Sequence, residues 1–303
     1  MRLQVITVPY RYDEYEDGLG AGPGALLGAG LTARLTSAGH DVVGPLVANL
    51  DPHEREPDRT AFNIGRLGAK TAALVVTARR DGTAALIIAG DDTAGVGVVS
   101  GLQQADGAGT PIGLVWLDAH GDFNTPETSV SGILAGMPVA ILAGLAGPNW
   151  RGAAGLVAPI ATDRIVIAGV RDLDERETAL LRSTSVRLVR AEEMQEEDRY
   201  AAAIRRLEQT CTILSLHVDL DVLDPDLVPS SSTPAADGLD VDETAAAMAT
   251  VLRTGKVAAV TIAGLNPGGG ARGQRSIESA SAVIEKAMTA WERVPGPPAP
   301  YGG

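Results

Sequence analysis

Asp118-Ala119-His120-Gly121-Asp122-Phe123-Asn124 is the stretch of this chain that decides its fold, and it directly follows the apolar run 112–117. Ser215-Leu216-His217-Val218-Asp219-Leu220-Asp221 repeats the arrangement later in the chain. Two strands that end in clustered Asp and His can supply the carboxylates and imidazole of a two-metal centre, which ionises water near neutral pH. One Asp-rich loop is equally typical of a turn or a helix cap. Two clusters with the same spacing favour the metal centre.

Short apolar runs and helical patterns alternate along the chain. The apolar runs cover 3–8, 84–89, 112–117, 164–170, 186–189, 212–218 and 257–263. The helical patterns cover 24–37, 61–80, 93–104, 175–184, 200–209, 242–254 and 276–291. Several runs are continuously apolar, which is typical of strands covered on both faces. The alternation predicts an α/β fold with three layers, α-β-α, and a central, mostly parallel sheet.

Acidic residues cluster where the predicted strands end. In an open parallel sheet, ligands bind at the carboxyl ends of the strands, because these ends meet at one edge. The residues that fall there are Asp91, Asp92, Asp118, Asp172, Asp174, Asp219 and Asp221. The sequence therefore predicts a single site built from several loops at that edge.

Length and composition limit the remaining possibilities. With 303 residues and 45% hydrophobic content, the chain can form one large domain, predicted over 1–294, followed by a flexible Pro- and Gly-rich tail over 295–303. The net charge of −13 argues against binding to nucleic acid or anionic membranes. The single cysteine, Cys211, and the absence of a signal peptide or membrane-length apolar stretch favour a cytoplasmic protein.

The motifs resemble those of the ureohydrolase superfamily, which includes arginase, agmatinase, guanidinobutyrase and formiminoglutamase. The Asp-Ala-His-x-Asp and Asp-x-Asp-x-x-Asp-Pro elements, in this order, carry the resemblance most specifically. The matching segments are 22–23, 39–42, 88–92, 118–122, 132–138, 219–225 and 265–267. The resemblance implies an arginase-like fold with about eight strands in the sheet, and a homo-oligomer, either a trimer or a hexamer.

The resemblance also implies a metal site with two Mn²⁺ ions. Asp118 and Asp219 would bridge the ions, and Asp122 would also act catalytically by hydrogen bonding to the attacking hydroxide. The complete expected ligand set is Asp92, Asp118, His120, Asp122, Asp219 and Asp221. Manganese suits such an oxygen-rich set.

Four further residues match the part of the arginase site that binds the amino-acid end of the substrate. Asn124 and Ser131 correspond to donors for the α-carboxylate, Asp174 to the partner of the α-amino group, and Thr233 to the active-site threonine. Turn chemistry could instead explain Asn124 and Ser131, and an N-cap could explain Asp174. The matched spacing of all of them favours the functional interpretation.

The chain departs from the superfamily pattern at three positions. Asp92 replaces a histidine that ligates metal, Ala135 replaces a histidine that shuttles protons, and Gly264 replaces a glutamate that binds the guanidinium. His217 is the candidate replacement shuttle, because strand alternation places it on the same face as Asp219. The alternative is a buried histidine bonded to a backbone carbonyl. Gly264 is expected to leave a void.

These features predict a manganese-dependent amidinohydrolase that cleaves a C–N bond in a linear amidine or guanidine carried by an amino acid, releasing urea or a urea analogue. The residues expected to bind the amino-acid end of the substrate match the arginase pattern, whereas those expected to bind the guanidine end do not. A modified arginine is therefore expected as the substrate. The pattern is similar to the branch that hydrolyses Nω-hydroxy-L-arginine, which we favour over arginine. The alternatives are a catalytically impaired subunit with this fold and an amino-acid-binding sensor.

Overall fold

The computed structural model describes residues 1–194 and 198–296. Its ten strands are β1 (Arg2–Val8), β2 (Tyr10–Arg11), β3 (Glu14–Tyr15), β4 (Asp41–Val47), β5 (Ala84–Ala89), β6 (Ile112–Leu117), β7 (Ile165–Val170), β8 (Arg187–Arg190), β9 (Ile213–Asp219) and β10 (Val257–Ala263). β2 and β3 form a small antiparallel hairpin. The other eight form one parallel sheet in the order β4-β1-β5-β10-β9-β6-β7-β8.

Helices cover both faces of this sheet. They are α1 (Gly22–Gly28), α2 (Leu31–Ser37), α3 (Thr60–Arg80), α4 (Ala94–Asp106), α5 (Pro138–Leu142), α6 (Pro148–Ala154), α7 (Glu175–Arg182), α8 (Arg199–Thr210), α9 (Val241–Leu252) and α10 (Gly270–Met288). One apolar core joins the sheet to α1, α2, α8, α9 and α10. The second core joins it to α3 through α7. The predicted three-layer fold is confirmed.

The central strands are buried on both faces, which explains their continuous apolar sequence. In β6 every residue is buried, and alternation sends Val115 and Leu117 to one core and Leu114 and Trp116 to the other. A strand covered on one face alone would need polar residues at alternate positions. The composition of the strands therefore places the helices on both sides.

The structure differs from the sequence prediction mainly at the edges. All seven predicted strands occur within one residue of their predicted bounds. β4 has no predicted counterpart because it is an edge strand with a mixed burial pattern and no continuous apolar run. The helix predicted over 24–37 is two helices, because Gly30 adopts a left-handed conformation, φ 84°, between them. The short helices α5 and α6 also have no predicted counterpart.

Two further sequence predictions concern the tail and membranes. Residues 297–303 of the predicted flexible tail lie outside the described residues. Just before them, the Pro295 carbonyl accepts a hydrogen bond from Nη1 of Arg79, whose Nε donates to the buried Asp106 at 3.0 Å. Among the described residues, no helix is both long and apolar enough to cross a bilayer.

The sheet order brings the acidic loops together. β5, β10, β9, β6 and β7 are consecutive neighbours in the sheet. The loops that follow their carboxyl ends begin at Gly90, Gly264, Leu220, Asp118 and Arg171. Segments that are far apart in sequence thus converge on one edge, as expected for a parallel sheet.

Candidate metal centre

His120 lies between two carboxylates from neighbouring loops. Its Nδ1 is 3.3 Å from Asp118 Oδ1 and 3.2 Å from Asp221 Oδ2. The backbone N–H of His120 donates to Asp118 Oδ1 at 2.7 Å, and the N–H of Ala119 approaches Asp221 Oδ1 at 3.4 Å. Asp118, His120 and Asp221 can direct ligand atoms within 4.8 Å of one another. This geometry suits one metal ion.

A second group of three shares Asp118 with the first. Asp92, Asp118 and Asp122 are all buried, and each has a carboxylate oxygen within 4.8 Å of the other two. Asp122 adopts a left-handed conformation, φ 48°, and its buried Oδ2 has no hydrogen-bond partner among the described residues. Such strain and such an orphaned acceptor are costly unless another group satisfies them. Two groups with one carboxylate in common are what a bridged pair of ions needs.

Asp219 belongs to neither of these groups of three. Its Oδ1 accepts a hydrogen bond from the backbone N–H of Asp221 at 2.8 Å, and its carboxyl group contacts that of Asp92. A Cβ atom built on Gly264 would lie 1.9 Å from Asp219 Oδ1. The sequence predicts an empty space beside Gly264. This prediction is wrong for the Cβ position, because the Asp219 carboxylate occupies it. The bridging role of Asp219 stays a prediction.

Together, the six expected metal ligands form an acidic cluster: Asp92, Asp118, His120, Asp122, Asp219 and Asp221. This cluster carries more negative charge than the basic groups of the protein around it neutralise. Burial, reinforced by Asp221, raises the pKa of Asp118 to about 6. Burial, followed by mutual repulsion, raises the pKa of Asp92, Asp122 and Asp219 as well.

The pKa of His120 also indicates that a positive charge is stabilised at this position. Burial alone would lower its pKa, but the hydrogen bonds with Asp118 and Asp221 raise it to about 12. A proton on Nδ1 thus sits where a cation would be stabilised. The crowded anions, the orphaned Oδ2 of Asp122 and the oxygen-rich donor set fit two divalent cations.

His217 lies behind Asp92 and does not line the cavity at the cluster. Its Nε2 is 2.9 Å from Asp92 Oδ1, and its ring stacks on Trp116 with a centroid distance of 3.5 Å and an interplanar angle of 2°. The side chain is 1% exposed, and burial lowers its pKa to about 3. The alternative interpretation of His217 is a buried histidine bonded to a backbone carbonyl. The partner of its Nε2 is instead the Asp92 carboxylate.

Two adjoining lobes of a cavity border the cluster. The Asn124 lobe, about 230 Å³, is lined by Asn124, Ser131, Gly136, Asp172, Asp174 and Glu177 together with cluster residues. The Tyr12 lobe, about 160 Å³, is lined by Arg11, Tyr12, Leu19, Ser231, Ser232 and Gly264 together with cluster residues. Both lobes border Asp92, Ile133, Ala135, Asp219 and Thr233. A ligand lying along both lobes would pass over the acidic cluster.

The Asn124 lobe is densely hydrogen bonded. Asn124 Nδ2 donates to Asp174 Oδ2 at 3.1 Å, and Thr128 Oγ1 donates to Asn124 Oδ1 at 2.8 Å. Asp174 is also the N-cap residue of α7, so the capping and ligand-binding interpretations are compatible. Ser131 is exposed at the rim. Thr233 Oγ1 donates to Asp221 Oδ2 at 2.9 Å, and this bond orients a cluster carboxylate.

Three residues with structural roles at the site are missing from the sequence prediction. Trp116 Nε1 donates to Asp118 Oδ2 at 3.0 Å. Glu177 accepts from the backbone N–H of Phe123 at 2.8 Å, and burial raises its pKa to about 7. Arg171 donates to backbone carbonyls of residues 169, 221–223, 235 and 236, which ties β7 to the loop after β9. The spacing of Glu177 three residues after Asp174 is the signal of a capping box.

Comparisons with known proteins identify a family and several relatives of the same fold. A model of the Arginase family matches residues 1–290. An arginase of Neurospora crassa is 31% identical over 285 residues, covering 88% of this chain and 78% of that protein. The structure of arginase from Bacillus caldovelox superposes with a TM-score of 0.84 at 27% identity, covering 95% of this chain and 98% of the other. Agmatine ureohydrolase of Thermoplasma volcanium shares the fold, with a TM-score of 0.64 at 17% identity over 95% of this chain and 90% of the other.

Proposed function

The chain belongs to the arginase family, and from this premise we propose that it is a manganese-dependent amidinohydrolase acting on a guanidine-bearing amino acid. The observation that carries the proposal is the pair of three-residue groups that share Asp118. A lone acidic patch would not divide in this way around a common carboxylate. The cavity lobes on this cluster provide room for a small-molecule substrate.

Six residues would hold the ions: Asp92, Asp118, His120, Asp122, Asp219 and Asp221. When bound, two Mn²⁺ ions would supply a hydrolytic nucleophile at neutral pH. The burial of Asp118 excludes competing solvent, and Trp116 and the His120 backbone fix its orientation. Asp122 would accept a hydrogen bond from the nucleophile, and its Oδ2, which has no partner within residues 1–194 and 198–296, supports this role.

The Asn124 lobe would bind the amino-acid end of the substrate. Asn124 and Ser131 supply hydrogen-bond donors for an α-carboxylate, and Asp174 supplies an acceptor for an α-ammonium group. The bond from Asn124 to Asp174 already joins the two halves of this binding surface. Thr233 holds Asp221 in place between this lobe and the cluster.

The Tyr12 lobe would receive the guanidine head, and its composition favours a head that is less basic than guanidinium. Gly264 contributes no charge, and the space for a side chain there is filled by Asp219. Ala135 contributes no proton donor, while Arg11 adds a positive charge to the lobe wall. These features support Nω-hydroxy-L-arginine over arginine, because a hydroxyguanidine depends less on a carboxylate partner.

His217 would act through Asp92 rather than on the substrate. It lines neither lobe, and its ring is fixed between Trp116 and the Asp92 carboxylate. We therefore assign it the role of orienting Asp92 toward the ions, as outer partners of metal ligands do.

A substrate panel with manganese-loaded protein tests the proposed function. The panel contains arginine, Nω-hydroxy-L-arginine, agmatine, guanidinobutyrate and formiminoglutamate, with release of urea or its analogue as the readout. We expect the highest kcat/KM for Nω-hydroxy-L-arginine. A preference for agmatine would contradict the roles of Asn124 and Ser131. Failure to retain metal after incubation with manganese would instead favour an impaired subunit.

A further inference from the structure

We propose that Tyr12 determines specificity at the head end of the site, by hydrogen bonding through its hydroxyl to the oxygen of a hydroxyguanidine. This inference rests on the proposed function, and it concerns a residue outside the motifs that carry the family resemblance. Tyr12 belongs to the turn between β2 and β3 and lines the same lobe as Asp92, Ala135 and Gly264.

The backbone of Tyr12 is held against the loop that carries Asp92. Tyr12 has φ 58°, a left-handed conformation that a tyrosine rarely adopts unless its surroundings impose it. Its N–H donates to Asp91 Oδ2 at 2.6 Å, and the other Asp91 oxygen accepts from the backbone of Thr93 at 3.0 Å. Asp91 therefore links the backbone of Tyr12 to that of Thr93, the residue after the proposed metal ligand Asp92.

Close packing of two backbones reinforces this tie. A Cβ atom on Gly90 would lie 2.1 Å from the Tyr10 carbonyl oxygen and 2.8 Å from the Cα atom of Gly20. Only glycine permits this approach, so the segment containing Tyr12 is seated directly on the loop before Asp92. The backbone of Tyr12 is thus held in place relative to the cluster.

The hydroxyl of Tyr12 lies beside the segment that carries Leu134 and Ala135. The backbone of Ala135 and of Leu134 lies within hydrogen-bonding reach of this hydroxyl, and both Tyr12 and Ala135 line the lobe. Burial, reinforced by the Asp91 carboxylate, raises the pKa of Tyr12. The phenol stays protonated and can both donate and accept a hydrogen bond.

The rest of the lobe explains why a hydroxyguanidine is the matching head. Beyond the cluster carboxylates, its wall presents Arg11, Asp91, Tyr12 and the apolar side chains of Leu19 and Ile133, together with the hydroxyl-bearing Ser231, Ser232 and Thr233. The Arg11 guanidinium lies 5.7 Å from the Tyr12 ring centroid, so a second cation here meets a like charge. The oxygen of a hydroxyguanidine would be costly to bury without a polar partner, and the Tyr12 hydroxyl provides one.

Tyr12→Phe tests this inference, with Tyr15→Phe as the matched control on the same hairpin. Tyr15 is 53% exposed and lines neither lobe. The readout is the ratio of kcat/KM for Nω-hydroxy-L-arginine to that for arginine in manganese-loaded protein. We expect Tyr12→Phe to lower this ratio about 10-fold, the effect of leaving one buried polar group unpaired. Tyr15→Phe should leave it unchanged.

Two binding measurements separate specificity from damage to the site. Manganese stoichiometry and the Kd of ornithine, which has no guanidine head, should be the same in Tyr12→Phe and the wild type. Loss of either would show that Tyr12 supports the structure and would overturn the inference. An unchanged substrate ratio with intact metal would overturn it as well.

Failure of the proposed function gives a different result. If the wild type hydrolyses neither compound, neither is consumed, and calorimetry then gives the Kd of both ligands directly. A preference for Nω-hydroxy-L-arginine that Tyr12→Phe abolishes would still support the role of Tyr12. The same ratio of Kd values in both proteins would reject it.

Discussion

The two lobes of the site are built in different ways. The Asn124 lobe draws its main polar residues from the loops after β6 and β7, and a bond from Asn124 to Asp174 joins those loops. The Tyr12 lobe combines Arg11 and Tyr12 with Ala135 and Gly264, from three segments far apart in sequence. The first lobe is crowded with hydrogen bonds. The second has Gly264 where the resemblance implies a glutamate, and the Asp219 carboxylate occupies the space beside that glycine.

This difference suggests that the two ends of the site serve separate purposes. A preassembled network of polar groups suits a ligand portion with fixed charges, because little reorganisation is needed on binding. A lobe whose wall was changed at Ala135 and Gly264 can accept a different head without disturbing that network. The acidic cluster lies against both lobes, so substitutions in the three regions should have separable effects.

Asp118→Asn should have the largest effect, because Asp118 belongs to both groups of three. Asparagine keeps the shape but removes the charge, and the protein should no longer retain two manganese ions. We expect kcat/KM to fall by more than about 100-fold, beyond the range for losing an outer partner of a ligand. Metal analysis and steady-state kinetics measure both effects. The exposed Asp226→Asn is the control, and full manganese retention in Asp118→Asn would contradict the shared role.

Gly264→Ala should perturb the cluster from the side of the Tyr12 lobe. The added methyl group would lie 1.9 Å from Asp219 Oδ1, so Asp219 must move. We expect manganese affinity to weaken about 10- to 100-fold, as when the support of a ligand is lost. Gly30→Ala is a close control, since Gly30 also has a positive φ but open space around it. An equal loss of manganese affinity in the two variants would point to backbone strain rather than to Asp219, and no loss in Gly264→Ala would contradict the prediction.

Asn124→Ala should have the smallest effect and should be confined to the amino-acid end. It removes a donor for the α-carboxylate and the bond to Asp174. We expect the Kd of ornithine to rise about 10-fold, as for loss of a hydrogen bond to a charged group, with manganese binding unchanged. Putrescine, which lacks the carboxylate, should bind to both proteins alike. A parallel loss of putrescine affinity would mean that the substitution disturbs the whole cavity.

Much of the fold could be predicted from local pattern. Apolar runs predict seven of the ten strands. In the central strands these runs are continuous, because burial on both faces favours apolar residues at every position. β4 escapes prediction because Gly44 and Pro45 interrupt its sequence, which contains no continuous apolar run. Asp118, His120 and Asp122 stand out because they are close in sequence and directly follow a strand.

Other residues could not be predicted, because their roles depend on contacts between distant segments. Tyr12 meets the cluster only because Gly90 allows the first hairpin to pack on the loop before Asp92. His217 meets Asp92 because β9 and the loop after β5 converge on one edge of the sheet. Neither contact leaves a local signal in sequence, since the two partners are 79 or more residues apart.

The sequence by itself determined the alternation of strands and helices, the family resemblance and the acidic character of the strand ends, since each is written in residues that are neighbours along the chain. The tertiary structure decided which carboxylates group around Asp118, that Asp219 fills the space beside Gly264, and that Tyr12 borders the cluster. The physical reason is the parallel sheet itself: strand order sets which loops meet, and strand order depends on the packing of the whole chain.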